Sequence, residues 1–470
     1  MTAADIGIIV SSAMLLLVIL GMRVAFAAGL SGLVGLVWIF WQKKNYAGDQ
    51  FFWALEVAVK TAGQIPHSKI SSQALSLIPI FILIGYLAYH AGLTRALFEA
   101  AKRWLGWLPG GLAVASVFSA AGFAAVSGAS IATSAVFARI AIPEMLANGY
   151  SKRFAAGVVA ASGTLASLIP PSAILVIYAI IVEQDVGALL LAGFMPGMFS
   201  AVVYALLVIG LALMIKGYGP KVVGFSWKER ITSLPGVFPI AFVVIIIISF
   251  IYNPFGEEAW GTPTEGGAIG AFVVFLLALY RKMRWNSLKM ALLETAKLSI
   301  MIFTIIWCVL LYVRFLGFVD LPALFAQWLS SLDQSPMLTL ILILMAYAIL
   351  GMFMDAIGMM LLTLPIVFPA MIALNGGDAV SATDSAFGVT ATGCAIWFGI
   401  IVVKMAELCL ITPPIGLNCF VVAGVRPDLS LQDVFKGVAP FFVADALTIA
   451  GLIAFPQIVL YLPNFLGIGV

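Results

Sequence analysis

Charge is scarce in this sequence. Only 10% of its 470 residues are Asp, Glu, Lys or Arg, against 63% hydrophobic. A soluble domain carries roughly 25% charged residues, so the scarcity excludes an ordinary water-soluble fold. Histidine is nearly missing. His67 and His90 are the only two, isolated in sequence, and no metal cluster or nucleophile–base pair can be built on them. The four cysteines (Cys308, Cys394, Cys409, Cys419) lie in apolar segments and give no disulfide framework. No Walker A sequence occurs, so the chain shows no ATP site of its own. No basic run suggests nucleic acid, and the net charge is only +3.

What is present is apolar sequence in long runs. The stretches 6–20, 202–215, 238–251 and 338–352 are almost free of charge, and the mean hydropathy is +1.14. A helix needs roughly 20 apolar residues to cross the hydrocarbon. The chain reads as an all-α polytopic membrane protein, since a barrel would show short alternating strands. The N-terminus has no basic region or cleavage site ahead of its first apolar run, which is therefore expected to be retained.

Basic residues gather in four places: Lys102 and Arg103; Lys152 and Arg153; Lys216, Lys221, Lys228 and Arg230; Arg281, Lys282, Arg284 and Lys289. By the positive-inside rule these loops are cytoplasmic. Segment 253–266 holds Glu257, Glu258 and Glu265 without Lys or Arg and is read as external, as are 320–336 and 375–387. Tracing the spans puts both termini outside. Residues 42–74 should then be external, although they hold Lys43, Lys44, Lys60 and Lys69. Part of them, 51–61, reads as an amphipathic helix on the membrane surface.

The two halves echo each other. The pattern of 74–105 returns at 296–329. Each half then has an interrupted segment, SGASIATSAVFARIAIPEML at 127–146 and GMFMDAIGMMLLTLPIVFPAM at 351–371. Each then has a double proline, SLIPPS at 167–172 and LITPPIGLN at 410–418. Loop charge is opposite in the two halves, which predicts inverted repeats, an architecture of secondary transporters. The expected organisation is a first repeat over 1–230, with a hairpin at about 110–146 and a broken helix at about 154–182. A second repeat spans 231–470, with a hairpin at about 338–372 and a broken helix at about 389–424.

The breaks carry the chemistry. Proline lacks an N–H and clashes with the carbonyl one turn back. Pro170 and Pro171 therefore release the carbonyls of Ala166 and Ser167, and Pro413 and Pro414 release those of Cys409 and Leu410. Ile169 and Thr412, each before a proline, are pushed out of the α region. Freed oxygens inside a membrane must line a cavity or be buried in protein, and they suit a hard cation such as Na⁺. The half-helix after each break favours an anion at its N-terminus. Ser127, Gly128, Ala129 and Ser130 combine hydroxyls with flexible backbone, as a re-entrant tip requires. Asp355 is an intramembrane acid and thereby a candidate for cation binding, with a structural salt bridge as the alternative. Lys404 and Glu407, three apart, read as an intrahelical pair. Arg139 and Glu144 flank Pro143 and read as interfacial anchors. In GTPTEGGAIGA at 261–271, Thr262 or Thr264 would cap a helix with Glu265 in its first turn.

Together IPIFILIGYL, SGASIATSAVFARIAIPEM, GTLASLIPPS, GTPTEGGAIGA and TPPIGLN resemble the large membrane subunit of tripartite ATP-independent periplasmic (TRAP) transporters, over nearly the whole chain. The resemblance implies an elevator mechanism driven by the Na⁺ gradient, without ATP, in a bacterial inner membrane. It implies two protein partners, a separate small four-helix membrane subunit and a periplasmic substrate-binding protein, and an organic anion (carboxylate) as substrate. By motif, sodium site 1 would use Ser127, Ser130, Ala166, Ile169 and Pro171. Sodium site 2 would use Gly351, Asp355, Ala356, Thr412 and Pro414. The substrate carboxylate would lie near Gly128, Ser172 and Asn418. Two residues depart from the family pattern. Ala129 stands where a tip hydroxyl is common, and Ala166 where a glycine precedes the double proline. A stand-alone Na⁺/carboxylate symporter is the alternative within transport. An intramembrane enzyme would want a pair of catalytic groups in the spans, and only Asp355 is clearly placed.

Overall fold

Apolar runs punctuated by Gly, Pro, Ser and Asp become helices throughout the computed structural model, which describes residues 2–44, 50–65, 73–215, 218–221, 224–252, 260–331 and 334–467. His67, Lys69, Lys216, Glu257 and Glu258, placed in loops above, lie outside these residues. Among the described residues all regular structure is helical. Eight helices are long and apolar enough to cross a membrane, or up to ten if two bent pairs each count as one span. Helix starts follow local chemistry. Ser151, Ser172, Asp185, Ser335, Thr390 and Ser430 each accept an amide N–H from the first turn that follows. Of the two threonines proposed for the helix Pro263–Tyr280, Thr262 is the cap, in a reciprocal box with Glu265.

The chain opens with helices Ala3–Ile19 and Val24–Gln42. The second packs along the 34-residue helix Trp285–Phe318. Gly32 permits this, because a Cβ there would stand 2.7 Å from the Tyr312 amide nitrogen. Helix Phe51–Ile65 is amphipathic and runs four residues beyond the expected 51–61, with Ala54, Ala58 and Ile65 buried and an exposed Glu56–Lys60 pair at 2.6 Å.

A common order of elements then appears twice. Helices Leu77–His90 and Leu93–Leu105, bent by 67° at Gly92, precede a hairpin of Gly111–Ser127 and Ser130–Ala147. A broken helix follows: Lys152–Thr164, a 3-10 turn at Leu165–Ser167, the prolines, and Ala173–Val182. Helix Val186–Met214 closes this series. In the second series Trp285–Phe318 and Leu321–Ser331 precede a hairpin of Pro336–Gly351 and Ala356–Asn375. The second broken helix is Ala391–Ile411 and Leu417–Val425, and Leu431–Ala454 follows. The two broken helices pass in opposite directions. Tyr178, late in the first, donates to the Ala395 carbonyl, early in the second, at 2.7 Å. Arg153, at the start of the first, pairs at 2.7 Å with Asp433, just past the end of the second.

The centre of the body is helix Ala391–Ile411, buried from Gly393 to Ile411. Helices Lys152–Thr164 and Leu431–Ala454 touch backbone to backbone, since a Cβ on Gly157 would lie 2.2 Å from the Gly437 carbonyl. The Lys404–Glu407 pair is present at 2.7 Å but belongs to a larger buried group. Lys404 also meets Asp445 at 2.6 Å, and Tyr204 donates to the Asp445 carboxylate at 2.7 Å. Three helices are tied by this network.

One end of the body collects basic loops. Lys102 pairs with Glu144, Arg103 donates to the Glu229 carbonyl at 3.2 Å, and Lys152 donates to the Asp428 carbonyl at 3.3 Å. Arg426 bonds both Asp428 oxygens at 2.7 and 2.8 Å, and holds that carboxyl down at about 2. Glu144 and Arg139, read as interfacial anchors, have partners here, Lys102 and the Tyr89 hydroxyl at 3.3 Å respectively. His90 is not isolated either. Its Nε2 lies 3.0 Å from Glu294 of helix Trp285–Phe318, a partner 204 residues away that sequence spacing does not reveal.

Candidate functional site: two hairpin tips on two broken helices

The first tip is built by three residues in three conformations. Ser127 ends its helix, Gly128 turns left-handed at φ 58°, and Ala129 is extended before Ser130 begins the next helix. Gly128 is required twice over, by its positive φ and by contact: a Cβ would stand 2.2 Å from the Pro171 carbonyl oxygen. The tip therefore rests on the break. Side-chain oxygens gather there. Ser127 and Thr133 hydroxyls are 3.1 Å apart, and Ser130 and Ser167 hydroxyls 2.5 Å. Ser172 donates to the Ser167 carbonyl while its oxygen caps the half-helix by accepting from Leu175 N–H at 3.3 Å. The Ser167 carbonyl, expected to be left free by the prolines, is thus taken by a serine five residues on. Ala166 is fully buried in the 3-10 turn, and Ile169, also buried, donates its N–H to the Leu165 carbonyl at 3.0 Å.

The second tip follows the same plan with different side chains. Gly351 ends its helix against the other broken helix, where a Cβ would meet Cys409 Sγ at 1.9 Å. Asp355 is the N-cap of Ala356–Asn375, its carboxylate accepting from Gly358 N–H at 3.1 Å, and Ala356 is buried as the first helical residue. At the break the Thr412 hydroxyl donates to the Leu408 carbonyl at 2.6 Å, and the Thr412 N–H to the Cys409 carbonyl at 3.2 Å. Cys409, expected to offer a free carbonyl, uses it in this tighter turn. Pro413 and Pro414 are exposed. The Pro170–Pro171 and Pro413–Pro414 peptide bonds are both cis.

The residues singled out from sequence fall into these two places. Ser127, Gly128, Ser130, Pro171 and Ser172 meet at the first tip with Ala166 and Ile169 behind them. Gly351 meets the second broken helix three residues before Thr412. Asp355 bonds the backbone of its own helix. Asn418 is fully buried and crosses to the first broken helix, its Nδ2 donating to the Ala160 carbonyl at 3.3 Å, while its Oδ1 has no protein partner. Helix Leu417–Val425 also packs on the hairpin helix Ser130–Ala147, so the second broken helix rests on both the first broken helix and its hairpin. Sequence reasoning missed Thr133 and, at Ser167, saw the carbonyl but not the hydroxyl; these two hydroxyls complete the first group. Ser167 lies inside SLIPPS, three residues before the prolines, and that position was a usable signal. The first seat gathers hydroxyl oxygens, and the second has the Asp355 carboxylate at the tip and the Thr412 hydroxyl at the break. Among the described residues no group of three His, Cys, Asp or Glu side chains gathers to hold a metal ion. Hydroxyl, carbonyl and carboxylate oxygens are hard ligands, unlike the thiolate and imidazole sets that favour transition metals.

These features define the class: an all-α polytopic membrane protein with helical hairpins and interrupted helices, an architecture used by secondary transporters. The chain matches the family described as "Tripartite ATP-independent periplasmic transporter, DctM component" over residues 11–458, and it belongs to that family, as a large membrane subunit. It is 34% identical over 392 residues to the C4-dicarboxylate TRAP transporter large permease protein DctM of Pseudomonas aeruginosa, covering 83% of this chain and 86% of the relative. It is 30% identical to the protein of the same name from Vibrio cholerae, over 96% of each chain. The sialic acid TRAP transporter large permease protein SiaM of Vibrio cholerae is 28% identical, over 87% of this chain and 91% of its own. Among solved structures, the Alcanivorax borkumensis YdaH transporter shares the fold with a TM-score of 0.55 at 13% identity, over 86% of this chain and 88% of that one.

Proposed function

We propose that this chain carries an organic carboxylate across the bacterial inner membrane, coupled to Na⁺ entry, after a periplasmic binding protein delivers it. The small membrane subunit is a separate partner, both termini lie in the periplasm, and the chain is not an enzyme. The observation that carries the reading is the seating of each hairpin tip on a broken helix, Gly128 on the Pro171 carbonyl and Gly351 on Cys409. Each seat collects backbone and hydroxyl oxygens beside the start of a half-helix, which suits a cation and an anion side by side. Na⁺ would be held at the first seat by Ser127, Ser130 and the backbone around Ala166, Ile169 and Pro171, and at the second by 351–356 with Thr412 and Pro414. The substrate carboxylate would lie between them near Gly128, Ser172 and Asn418. Residues 1–230 and 231–470 act as inverted repeats, with the tips and broken helices sliding as one elevator body against the remaining helices.

The carboxylate class takes support from the relatives named for C4-dicarboxylates and sialic acid. The test is uptake into proteoliposomes of the carboxylate that copurifies with, or stabilises, the cognate binding protein. Uptake is expected to need the binding protein, the small subunit and an inward Na⁺ gradient. Uptake by this chain alone would favour the stand-alone symporter instead.

A further inference from the structure

Beside the first tip, one cavity combines size with charge. It measures about 190 Å³, where about 10–15 Å³ admits one water molecule. Four helices wall it, Gly111–Ser127 through Phe123 and Ser127 at the tip. The second hairpin helix presents Ala129, Ala132 and Ala135, a track of small side chains that leads from the tip to Arg139. Helix Leu77–His90 faces it with Tyr86 and Tyr89, and helix Trp285–Phe318 adds Glu294. Arg139 sits nine residues past Ser130, about 14 Å along the helix, on the side of the hairpin base, where Lys102 and Glu144 pair at the basic end of the body.

The charges are sorted. Arg139 is exposed and donates to the Tyr89 hydroxyl at 3.3 Å. Among the described residues no carboxylate pairs with it. Glu294, the one carboxylate in the wall, is engaged by His90 Nε2 at 3.0 Å. A guanidinium with no carboxylate partner, beside a phenol, offers a planar fork that matches the two oxygens of a carboxylate.

We propose that this cavity is the aqueous path by which the anion leaves the first hairpin tip for the basic end of the molecule, with Arg139 as the residue that receives its carboxylate and Tyr89 as the residue that orients Arg139. That the anion is a carboxylate rests on the transport function proposed above. The charge and hydration of the path do not.

The test uses two small thiol reagents as probes, anionic 2-sulfonatoethyl and cationic 2-(trimethylammonium)ethyl methanethiosulfonate. They are applied to Ala132→Cys in the assembled transporter in lipid nanodiscs. Wild type, whose cysteines are three buried and one half-buried, serves as the blank. Rates are divided by those of free 2-mercaptoethanol. Ala132→Cys is expected to react with both reagents and to favour the anionic one. Adding Arg139→Gln should lower the anionic-to-cationic ratio roughly tenfold, the scale of focused surface fields. Arg139→Lys should keep most of the ratio, and Glu294→Gln should raise it. No reaction at Ala132→Cys overturns the path. An unchanged ratio in Arg139→Gln, or an equal loss in Arg139→Lys, overturns the role of Arg139. Uptake that ignores Na⁺ would sink the coupling reading without altering these ratios.

Discussion

Asp355 closes the turn of the second hairpin with its carboxylate on the Gly358 amide, so it is a cap as well as a proposed cation ligand. One substitution separates the two roles. Asparagine caps a helix about as well as aspartate, whereas alanine costs about 1 kcal/mol. Asp355→Asn should therefore unfold thermally at the wild-type temperature while its uptake depends less steeply on Na⁺. Asp355→Ala should show the same weakened Na⁺ dependence and a lower melting temperature as well. Wild-type Na⁺ dependence in Asp355→Asn would leave Asp355 as a cap alone. Gly128 offers a companion prediction at the first tip. Its φ of 58° and the Pro171 oxygen 2.2 Å from a built Cβ leave no room for a side chain. Gly128→Ala should destabilise by about 1–3 kcal/mol, read as a lower melting temperature, and should abolish uptake. A variant as stable as wild type would mean that the tip can lift from the break.

At the scale of elements, local chemistry and tertiary pairing part company. Double prolines, the Ser-Gly-Ala-Ser tip and the Ser, Thr and Asp caps act within one turn of chain, so sequence alone displays where helices stop and start. What it does not display is which oxygens those breaks leave free. Ser172 and Thr412 recapture carbonyls through their own hydroxyls, a choice set by side-chain reach within the folded turn. Nor does it display pairs closed by tertiary approach. His90 and Glu294 are 204 residues apart, and Tyr204 and Asp445 are 241. The Lys404 network shows why such pairs matter. One ammonium serves two carboxylates with all three side chains fully buried. Lys404→Met strands both carboxylates and should cost about 3–5 kcal/mol. Asp445→Asn leaves Lys404 with Glu407 and should cost less. Thermal unfolding of the two purified variants gives the order, and equal stability would mean that water or lipid headgroups reach the network.

For the whole molecule, two broken helices passing in opposite directions put the two oxygen-lined seats in one body. Asn418 adds a cross-link between those helices, from the second to Ala160 of the first. If each seat holds one cation, transport must respond to Na⁺ more steeply than one site allows. The most direct measurement is the initial rate of uptake in proteoliposomes as external Na⁺ is varied, with the binding protein and small subunit present. The account predicts a sigmoidal curve with a Hill coefficient above one, falling toward one when Ser130→Ala or Asp355→Asn removes a donor from one seat. A rate independent of Na⁺ would contradict it.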